Sequence, residues 1–322
     1  MQKKLLTWQF IYNSLRQHVE VILLYVLESK GSSPGRQGFF MAVNEQGEMS
    51  GSIGGGMMEH KFVELAKAKL QQDIKERSLH QQFHDKVASK NQSGMICSGE
   101  QTIFIYTLQH KDAGHIGAII SALQKHENGS LQLSYDGILF STAVAAVNYA
   151  YVIKGERDFL FQEKIGYHNQ LYIIGGGHCS LAFSQLMSTM DFYIHLFDER
   201  EELNTIIENN FVHEKQTVDG YEILAELIPS GKNNYVVIMT FGYRTDETAL
   251  KALLNKEVAY LGLLGSKKKI EKMFADLLQE GISQEKLSKI HAPIGMPVKS
   301  QTPEEIAVSI AAEIIKVKNE RL

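Results

Sequence analysis

The chain has 322 residues, of which 44% are hydrophobic and 22% charged, and its formal net charge is -4. This length exceeds what one hydrophobic core usually fills, so the composition favours a globular protein of two domains. The acidic balance argues against a nucleic-acid partner, which would select a basic face. No apolar stretch reaches the length of a transmembrane helix and the N-terminal segment has no signal-peptide pattern, so we expect a cytoplasmic protein without membrane contact.

In the first half, apolar periodicity predicts a helix over residues 5–18, strands over 19–27, 39–43 and 101–108, and a helix over 113–125. Glycine-rich loops at 31–35 and 51–56 separate the early strands, and another helix follows the second loop. A hairpin is predicted around Asp136 and Gly137. The mixture indicates an α+β domain over residues 1–166.

The second half alternates short apolar strands with helices, which is typical of a parallel sheet covered on both faces. Strands are predicted at 171–174, 193–197, 235–240 and 260–264, and helices at 180–190, 201–209, 221–228, 246–254 and 267–280. A last helix has Thr302 as N-cap, Pro303 at its first position and Glu305 to complete a capping box. Residues 167–322 are therefore predicted to form a Rossmann-like, doubly wound α/β domain.

Three adjacent glycines, Gly175, Gly176 and Gly177, lie between a predicted strand and a predicted helix. Such a loop lets the backbone approach a phosphate, towards which the first N–H groups of the helix point. Asp198 ends the next strand about twenty residues later, where an acidic side chain can bind a ribose hydroxyl. Ser180 replaces the third glycine of this fingerprint. A Rossmann-like core that binds no dinucleotide is an equally weighted alternative.

A second candidate anion site follows the strand at 260–264 and comprises Gly265, Ser266 and Lys267. The lysines at 267–269 lie in the first turn of a predicted helix, where cations oppose the helix dipole. Because these lysines are unfavourable at a helix start and follow the carboxyl end of a strand, their placement points to an anion site. The alternative is a group of solvated surface lysines.

The first domain has its own glycine loop before a helix, formed by Gly54, Gly55 and Gly56. Consecutive N–H groups in such a loop suit a nest for an anion. Glu59 follows in the first helical turn. It either complements the helix dipole or accepts a hydrogen bond from a ring N–H of a ligand.

The chain contains two cysteines, Cys97 and Cys179, which form neither a metal-binding pair nor a disulfide framework. An iron–sulfur cluster takes four cysteines, so this chain is not expected to be an iron–sulfur dehydrogenase. Cys97 lies among glycines and small polar residues, where a ligand can approach a reactive or metal-facing thiol. Burial as a small hydrophobic side chain is the alternative for both cysteines and is favoured for Cys179.

Seven segments together resemble the XdhC/CoxI family, in family order and across almost the whole chain. In the first half they are ESKGSSPG at 28–35, GSIGGGMME at 51–59 and MICSGE at 95–100. In the second half they are GGGH at 175–178, YLGLLGS at 260–266, HAPIG at 291–295 and TPEEIA at 302–307.

The resemblance implies an accessory protein for a molybdenum hydroxylase of the xanthine dehydrogenase type, rather than the dehydrogenase itself. Such a cofactor-maturation chaperone binds molybdenum cofactor (molybdopterin), supports its sulfuration with a cysteine desulfurase, and inserts it into the apo-enzyme. Cys97 is the matching cysteine and is expected to contact molybdenum or relay sulfur, with Ser98 beside it. One departure is Phe241, which stands in a segment where the family often has a histidine.

Two other functions stay open from the residues alone. The Gly175 loop and Asp198 suit an NAD(P)-dependent oxidoreductase, although no clear acid–base group accompanies them. The same loop suits a nucleotide-sensing module without chemistry. A homodimer is the default expectation for the assembly.

Overall fold

The computed structural model describes residues 2–83 and 99–320. The chain divides into two compact units, Met1–Gly166 and Tyr167–Leu322, which we call unit 1 and unit 2. The predicted fold class, an α+β domain followed by a Rossmann-like parallel sheet, is confirmed. Within the described ranges, no helix is long and apolar enough to cross a membrane.

Unit 1 contains two antiparallel sheets, with strand orders β3-β2-β1-β5-β4 and β7-β6-β9-β8. Among the described residues of this unit, three α-helices accompany the sheets. The elements are α1 (Gln2–Arg16), β1 (Val21–Gly31), β2 (Phe40–Asn44), β3 (Met49–Gly51), α2 (Gly56–Gln71), β4 (Ser78–Phe83), β5 (Gly99–Thr107), α3 (Ala113–Gln124), β6 (Gly129–Ser134), β7 (Gly137–Ser141), β8 (Tyr149–Gly155) and β9 (Asp158–Ile165).

Strand β1 is the centre of unit 1 and is buried on both faces. Alternate side chains point to opposite faces of a strand. Val21, Leu23 and Tyr25 pack with α1, α3 and the second sheet, whereas Ile22 and Leu24 pack against α2. This double burial explains why the sequence of β1 is an unbroken apolar run rather than an alternating one.

Unit 2 has one five-stranded sheet in which every pairing is parallel, with strand order β12-β11-β10-β13-β14. The chain order therefore reverses between β10 and β13. The elements are β10 (Asn169–Ile174), α4 (His178–Met187), β11 (Phe192–Asp198), α5 (Asn204–Ile207), β12 (Glu214–Thr217), α6 (Leu224–Leu227), β13 (Gly231–Ile238), α7 (Tyr243–Leu253), β14 (Val258–Leu263), α8 (Lys267–Gln279), α9 (Gln284–Leu287) and α10 (Pro303–Asn319).

Several predicted elements differ from the observed ones. The predicted helices at 201–209 and 221–228 shrink to the single turns of α5 and α6, the latter after a 3₁₀ turn at 221–223. Strands β3, β4, β8 and β12 were not predicted, because these edge strands show little apolar alternation and β12 is exposed throughout. Strand β9 was missed because one inward position holds Glu163, which is buried and pairs with Lys4 at 2.7 Å.

The start of α10 follows the predicted capping pattern with one shift. The Thr302 hydroxyl accepts a hydrogen bond from the Glu305 N–H at 3.3 Å, and Pro303 occupies the first turn. The Glu305 carboxylate, however, accepts from the Gln301 N–H at 2.5 Å rather than from Thr302. The cap therefore secures one residue more of the incoming chain than a capping box does.

Removing this cap should weaken unit 2, which contains α10. We expect Thr302→Ala to lower the free energy of unfolding by about 1 kcal/mol, since an N–H at the helix start loses its acceptor. Thr302→Ser keeps the oxygen and should leave stability near wild type. The chain has one tryptophan, Trp8, buried in unit 1. Urea unfolding of unit 2 followed by far-UV circular dichroism measures this loss, and unchanged midpoints for wild type and Thr302→Ala would contradict it.

Candidate functional site

A cavity of about 630 Å³ opens at the carboxyl edge of the parallel sheet in unit 2. It lies where the strand order reverses between β10 and β13, the place at which doubly wound sheets bind their ligands. Its walls follow the ends of four strands and comprise residues 177–180, Arg200, residues 202–205, residues 239–241 and Leu264.

The three glycines predicted to bind a cofactor have different surroundings. Gly175 has a φ of +105°, and a Cβ there would lie 2.4 Å from the Met239 carbonyl oxygen, so only glycine fits. At Gly176 a Cβ would lie 2.3 Å from Ile206. Gly177 is the N-cap of α4, has open space around it and lines the cavity. The first two glycines therefore shape the loop, and the third faces the cavity.

The first turn of α4 presents polar groups to this cavity. Backbone N–H groups at a helix start have no partner within the helix and attract anions. Ser180 is 1% exposed, lines the cavity, and its Oγ has no hydrogen-bond partner among the described residues. A buried hydroxyl without a partner is costly, so this group is suited to a ligand acceptor.

Cys179 stands in the same turn but packs against the apolar core beneath α4. Burial, together with the charge of Glu304, raises the pKa of its thiol. A raised pKa disfavours the thiolate, which is the reactive form. This agrees with the packing role that the sequence favoured for Cys179.

Asp198 does not present a free carboxylate to the cavity. Its Oδ2 accepts from the Gly176 N–H at 2.6 Å and from Arg200 Nη2 at 2.8 Å. Its Oδ1 accepts from the backbone N–H and Nε of Arg200 at 2.9 and 2.8 Å. Burial would raise the pKa of Asp198, but these hydrogen bonds outweigh it and the pKa is lowered. The acceptor predicted to bind a ribose is thus bonded within the chain.

Arg200 and Phe241 were missed as site residues. The Arg200 side chain is 38% exposed and lines the cavity. Its guanidinium carbon lies 4.6 Å from the centre of the Phe241 ring, which is 66% exposed. Arg200 could have been found from the sequence, because an arginine near the acidic end of the second strand is a known variation of the dinucleotide fingerprint. Phe241 gave no such signal.

The three residues of the predicted anion site at 265–267 have different surroundings. The Ser266 Oγ caps α8 by accepting from the Lys269 N–H, and Gly265 lies against Lys269 and Ile270. Lys267 is 84% exposed and 3.8 Å from Glu271. The cavity is lined by the preceding residue, Leu264, and not by residues 265–267.

The lysine that turns inward is Lys269. It forms an ion pair with Asp246, which is fully buried. The Thr240 N–H and hydroxyl also donate to Asp246, at 3.0 and 2.6 Å. Burial raises the pKa of Asp246, and the hydrogen bonds from Lys269 and Thr240 oppose that rise. Because Thr240 lines the cavity, this buried network supports one of the cavity's walls.

We expect Lys269→Met to lower the free energy of unfolding by about 3–5 kcal/mol at neutral pH, because Asp246 loses its cation inside the protein. Lys267→Met should change it by less than about 0.5 kcal/mol. Without Lys269 the pKa of Asp246 rises further above its unfolded value, so the folded variant binds a proton more tightly than the unfolded one. The loss should therefore shrink as the pH is lowered. Circular dichroism in urea at two pH values tests this, and a pH-independent loss would contradict it.

In unit 1, three motif loops meet through their backbones. A Cβ on Gly35 would lie 1.9 Å from the Ile53 carbonyl oxygen, and one on Gly99 would lie 2.7 Å from the Ser33 nitrogen. The Gln101 side chain joins two of the loops by donating to the carbonyl oxygens of Gly35 and Ile53, at 2.7 and 3.4 Å. We call residues 31–35, 51–56 and 99–101 the loop cluster.

The glycine nest of the loop cluster already holds an anion from the chain itself. Oε2 of Glu59 accepts from the Ser52 hydroxyl at 2.7 Å, the Ile53 N–H at 2.9 Å and the Gly55 N–H at 3.0 Å. Gly54, Gly55 and Gly56 all have positive φ, between 70° and 130°, which turns this backbone towards the carboxylate. Cys97 and Ser98 lie outside the described residues.

If Glu59 is a structural anion, its loss should weaken unit 1. We expect Glu59→Ala to lower the free energy of unfolding by about 1–3 kcal/mol, since two backbone N–H groups lose their acceptor. Glu64→Ala on the same helix removes only an exposed pair with Lys67 and should cost less than about 0.5 kcal/mol. Trp8 fluorescence in urea reports the change. Equal stability of the two variants would favour a ligand-binding role for Glu59.

The motif at 291–295 supports β14 rather than the cavity. The His291 ring stacks on Tyr260 with centroids 4.3 Å apart, and the His291 backbone bonds alongside the strand. Glu313 on α10 accepts from the Tyr260 hydroxyl at 2.5 Å and from the Gly295 N–H at 2.8 Å. In the described part of the chain, no group of three His, Cys, Asp or Glu side chains could hold a metal ion.

Two family models match the chain, one to each unit. The model described as XdhC Rossmann domain matches residues 171–314, and the model described as XdhC and CoxI family matches residues 14–80. Together they cover about two thirds of the sequence. The first spans the parallel sheet and its cavity, and the second spans β1 and the nest with Glu59.

Two curated proteins are similar to this chain. The chain is 26% identical to the uncharacterized protein YqeB of Escherichia coli (strain K12) over 94% of its own length and 44% of that protein. It is 25% identical to a probable xanthine dehydrogenase subunit of Bacillus subtilis (strain 168) over 49% of its length and 46% of that protein. The chain thus spans less than half of the curated relatives it matches.

A solved structure shares the fold over nearly the full length. It is described as a xanthine dehydrogenase from Bacillus halodurans and matches with a TM-score of 0.71 at 22% identity, covering 98% of this chain and 97% of that one.

Proposed function

Because the chain belongs to the XdhC and CoxI family, we propose that it is an accessory protein for a molybdenum hydroxylase of the xanthine dehydrogenase type. In this role it binds molybdenum cofactor, supports its sulfuration and inserts it into the apo-enzyme. A cysteine desulfurase would supply the sulfur, and the apo-hydroxylase would be the client. The similarity to the probable xanthine dehydrogenase subunit of Bacillus subtilis supports this class of partner.

The observation that carries the proposal is the loop cluster. Three segments far apart in the sequence pack backbone on backbone through Gly35, Gly54 and Gly99. Cys97 precedes Gly99 by two residues, so the segment with the cysteine leads directly into the cluster. In the loop at 51–56, Gly55 and Gly56 have no atom of the described residues within 4 Å of where a Cβ would lie, so a ligand has room at these two positions. When bound, the cofactor would supply a metal at which an oxo ligand is replaced by sulfido, and Cys97 would contact that metal or relay the sulfur.

The phosphate of a cofactor fits the two glycine loops differently. In unit 1 the Glu59 carboxylate uses the N–H groups of Ile53 and Gly55, so a phosphate would have to displace it. In unit 2 the start of α4 opens onto a cavity large enough for a nucleotide, and the Oγ of Ser180, a residue that lines this cavity, has no hydrogen-bond partner among the described residues. We therefore propose that the cavity of unit 2 binds an organic phosphate, as part of the cofactor or as a dinucleotide such as NAD(P).

Substitution of Cys97 tests whether this residue takes part in cofactor binding or in sulfuration. We expect Cys97→Ser to weaken molybdenum cofactor binding or to block sulfuration, with activation of a cofactor-free hydroxylase falling at least about tenfold. Cys179→Ser leaves Cys97 as the only thiol in the chain and should activate the client as wild type does. Titration with isolated cofactor, followed by client activity with a desulfurase and cysteine, measures both steps.

Equal cofactor retention and equal client activation by wild type and Cys97→Ser would remove Cys97 from the site. Absence of cofactor binding by the wild-type chain would reject the accessory role. Turnover of a nicotinamide nucleotide without a client would instead favour the oxidoreductase.

A further inference from the structure

We infer that the cavity of unit 2 selects a nucleotide with a phosphate on its 2′-ribose oxygen, as in NADPH, and that Arg200 is the selecting residue. This rests on the proposed binding of an organic phosphate in the cavity. It goes further by naming which nucleotide is taken and which side chain decides.

The first step is the state of Asp198. In the dinucleotide fingerprint, an acidic side chain at the end of the second strand accepts hydrogen bonds from the ribose hydroxyls. Here both carboxylate oxygens of Asp198 are bonded to Gly176 and Arg200, and the residue is 2% exposed. A ribose diol placed at this strand end therefore meets the guanidinium of Arg200 instead of a free acceptor. A guanidinium only donates hydrogen bonds, and the oxygens of a phosphate ester accept them.

The second step is the remaining capacity of Arg200. The guanidinium bonds Asp198 through Nε and Nη2. Its Nη1 donates no hydrogen bond to any of the described residues, and the side chain lines the cavity. One face of the guanidinium packs on the Phe241 ring at 4.6 Å. Held on one edge by a carboxylate and on one face by an aromatic ring, the cation has a fixed orientation and loses little freedom when it binds a second anion.

The third step is a second group of donors that lines the same cavity. The start of α4 offers backbone N–H groups, and the buried Ser180 Oγ in the same turn has no hydrogen-bond partner among the described residues. The cavity thus has two groups of anion donors, one at α4 after β10 and one at Arg200 after β11. A dinucleotide with a 2′-phosphate carries two matching anions, the pyrophosphate and the ribose monoester. The exposed Phe241 ring, beside Arg200, offers an apolar surface for the adenine base.

The test compares NADPH with NADH, which differ only in the 2′-phosphate, by calorimetric titration of the full chain. We expect wild type to bind NADPH about tenfold or more tightly than NADH, the effect of one charge-assisted hydrogen-bonding site. Arg200→Gln should bring the two affinities within about twofold by weakening NADPH alone. Arg244→Gln removes the same charge from an exposed residue that does not line the cavity, and should keep the preference.

A second variant protects the test, since Arg200→Gln also removes two of the four hydrogen bonds that Asp198 accepts. Arg200→Lys keeps the cation and should retain a reduced preference for NADPH. Ser180→Ala should weaken both nucleotides to a similar degree and leave the unfolding midpoint unchanged or higher, because it removes a buried hydroxyl without a partner. Equal binding of NADPH and NADH by wild type overturns the role of Arg200 but leaves nucleotide binding in place. Failure of both to bind overturns the nucleotide site itself and leaves the molybdenum cofactor experiment as the separate test of the accessory role.

Discussion

The carboxylate of Asp198 joins the segments that form the cavity of unit 2. It holds the glycine loop after β10 through the Gly176 N–H, and it holds the end of β11 through Arg200. Arg200 in turn packs on Phe241, which follows β13. One buried anion therefore links three strand ends. Asp198 is almost out of reach of water, so its hydrogen bonds to the chain keep the cavity's walls at a fixed spacing. A buried carboxylate with several hydrogen bonds is expected to be rigid, since each bond lost would leave a charge uncompensated.

The two units use the same device with different results. In unit 1 the Glu59 carboxylate fills the glycine nest, so the nest organises the loop cluster and is satisfied without a ligand. In unit 2 Asp198 accepts a hydrogen bond from only one N–H of the glycine loop, that of Gly176, and the start of α4 is left to face the cavity. A glycine loop before a helix attracts an anion in both cases. Whether that anion belongs to the protein or to a ligand depends on a side chain several residues or one strand away.

Charge burial also separates the lysines of α8. The three are adjacent in the sequence, yet Lys269 pairs with the buried Asp246 while Lys267 is almost fully in solvent. Helical geometry explains the difference, because residues two apart on a helix point in different directions. The inward lysine supports Thr240 at the cavity wall, so it affects the site through the scaffold and not by direct contact. The motif at 291–295 acts similarly by bracing β14 through Glu313.

Periodicity and glycine placement were sufficient to predict the α+β unit, the parallel sheet, the loop before α4 and the start of α10. These features follow from local rules, since apolar spacing, caps and tight turns act over a few residues. The family resemblance likewise depended on short motifs and was confirmed by the comparisons. Several edge strands, such as β4, β8 and β12, and the inward Glu163 on β9 escaped prediction, because their patterns have meaning only beside their neighbours.

What the tertiary structure decided was the partner of each charged group. The sequence showed that Asp198, Glu59 and the lysines at 267–269 lay near glycine loops. It did not show that Asp198 would bind Arg200, that Glu59 would fill its own nest, or that Lys269 would be the lysine to turn inward. Hydrogen bonds and ion pairs of this kind act over about 3 Å and depend on direction, whereas sequence patterns determine position only to within a few residues. The availability of each group for a ligand is therefore set by packing between distant segments.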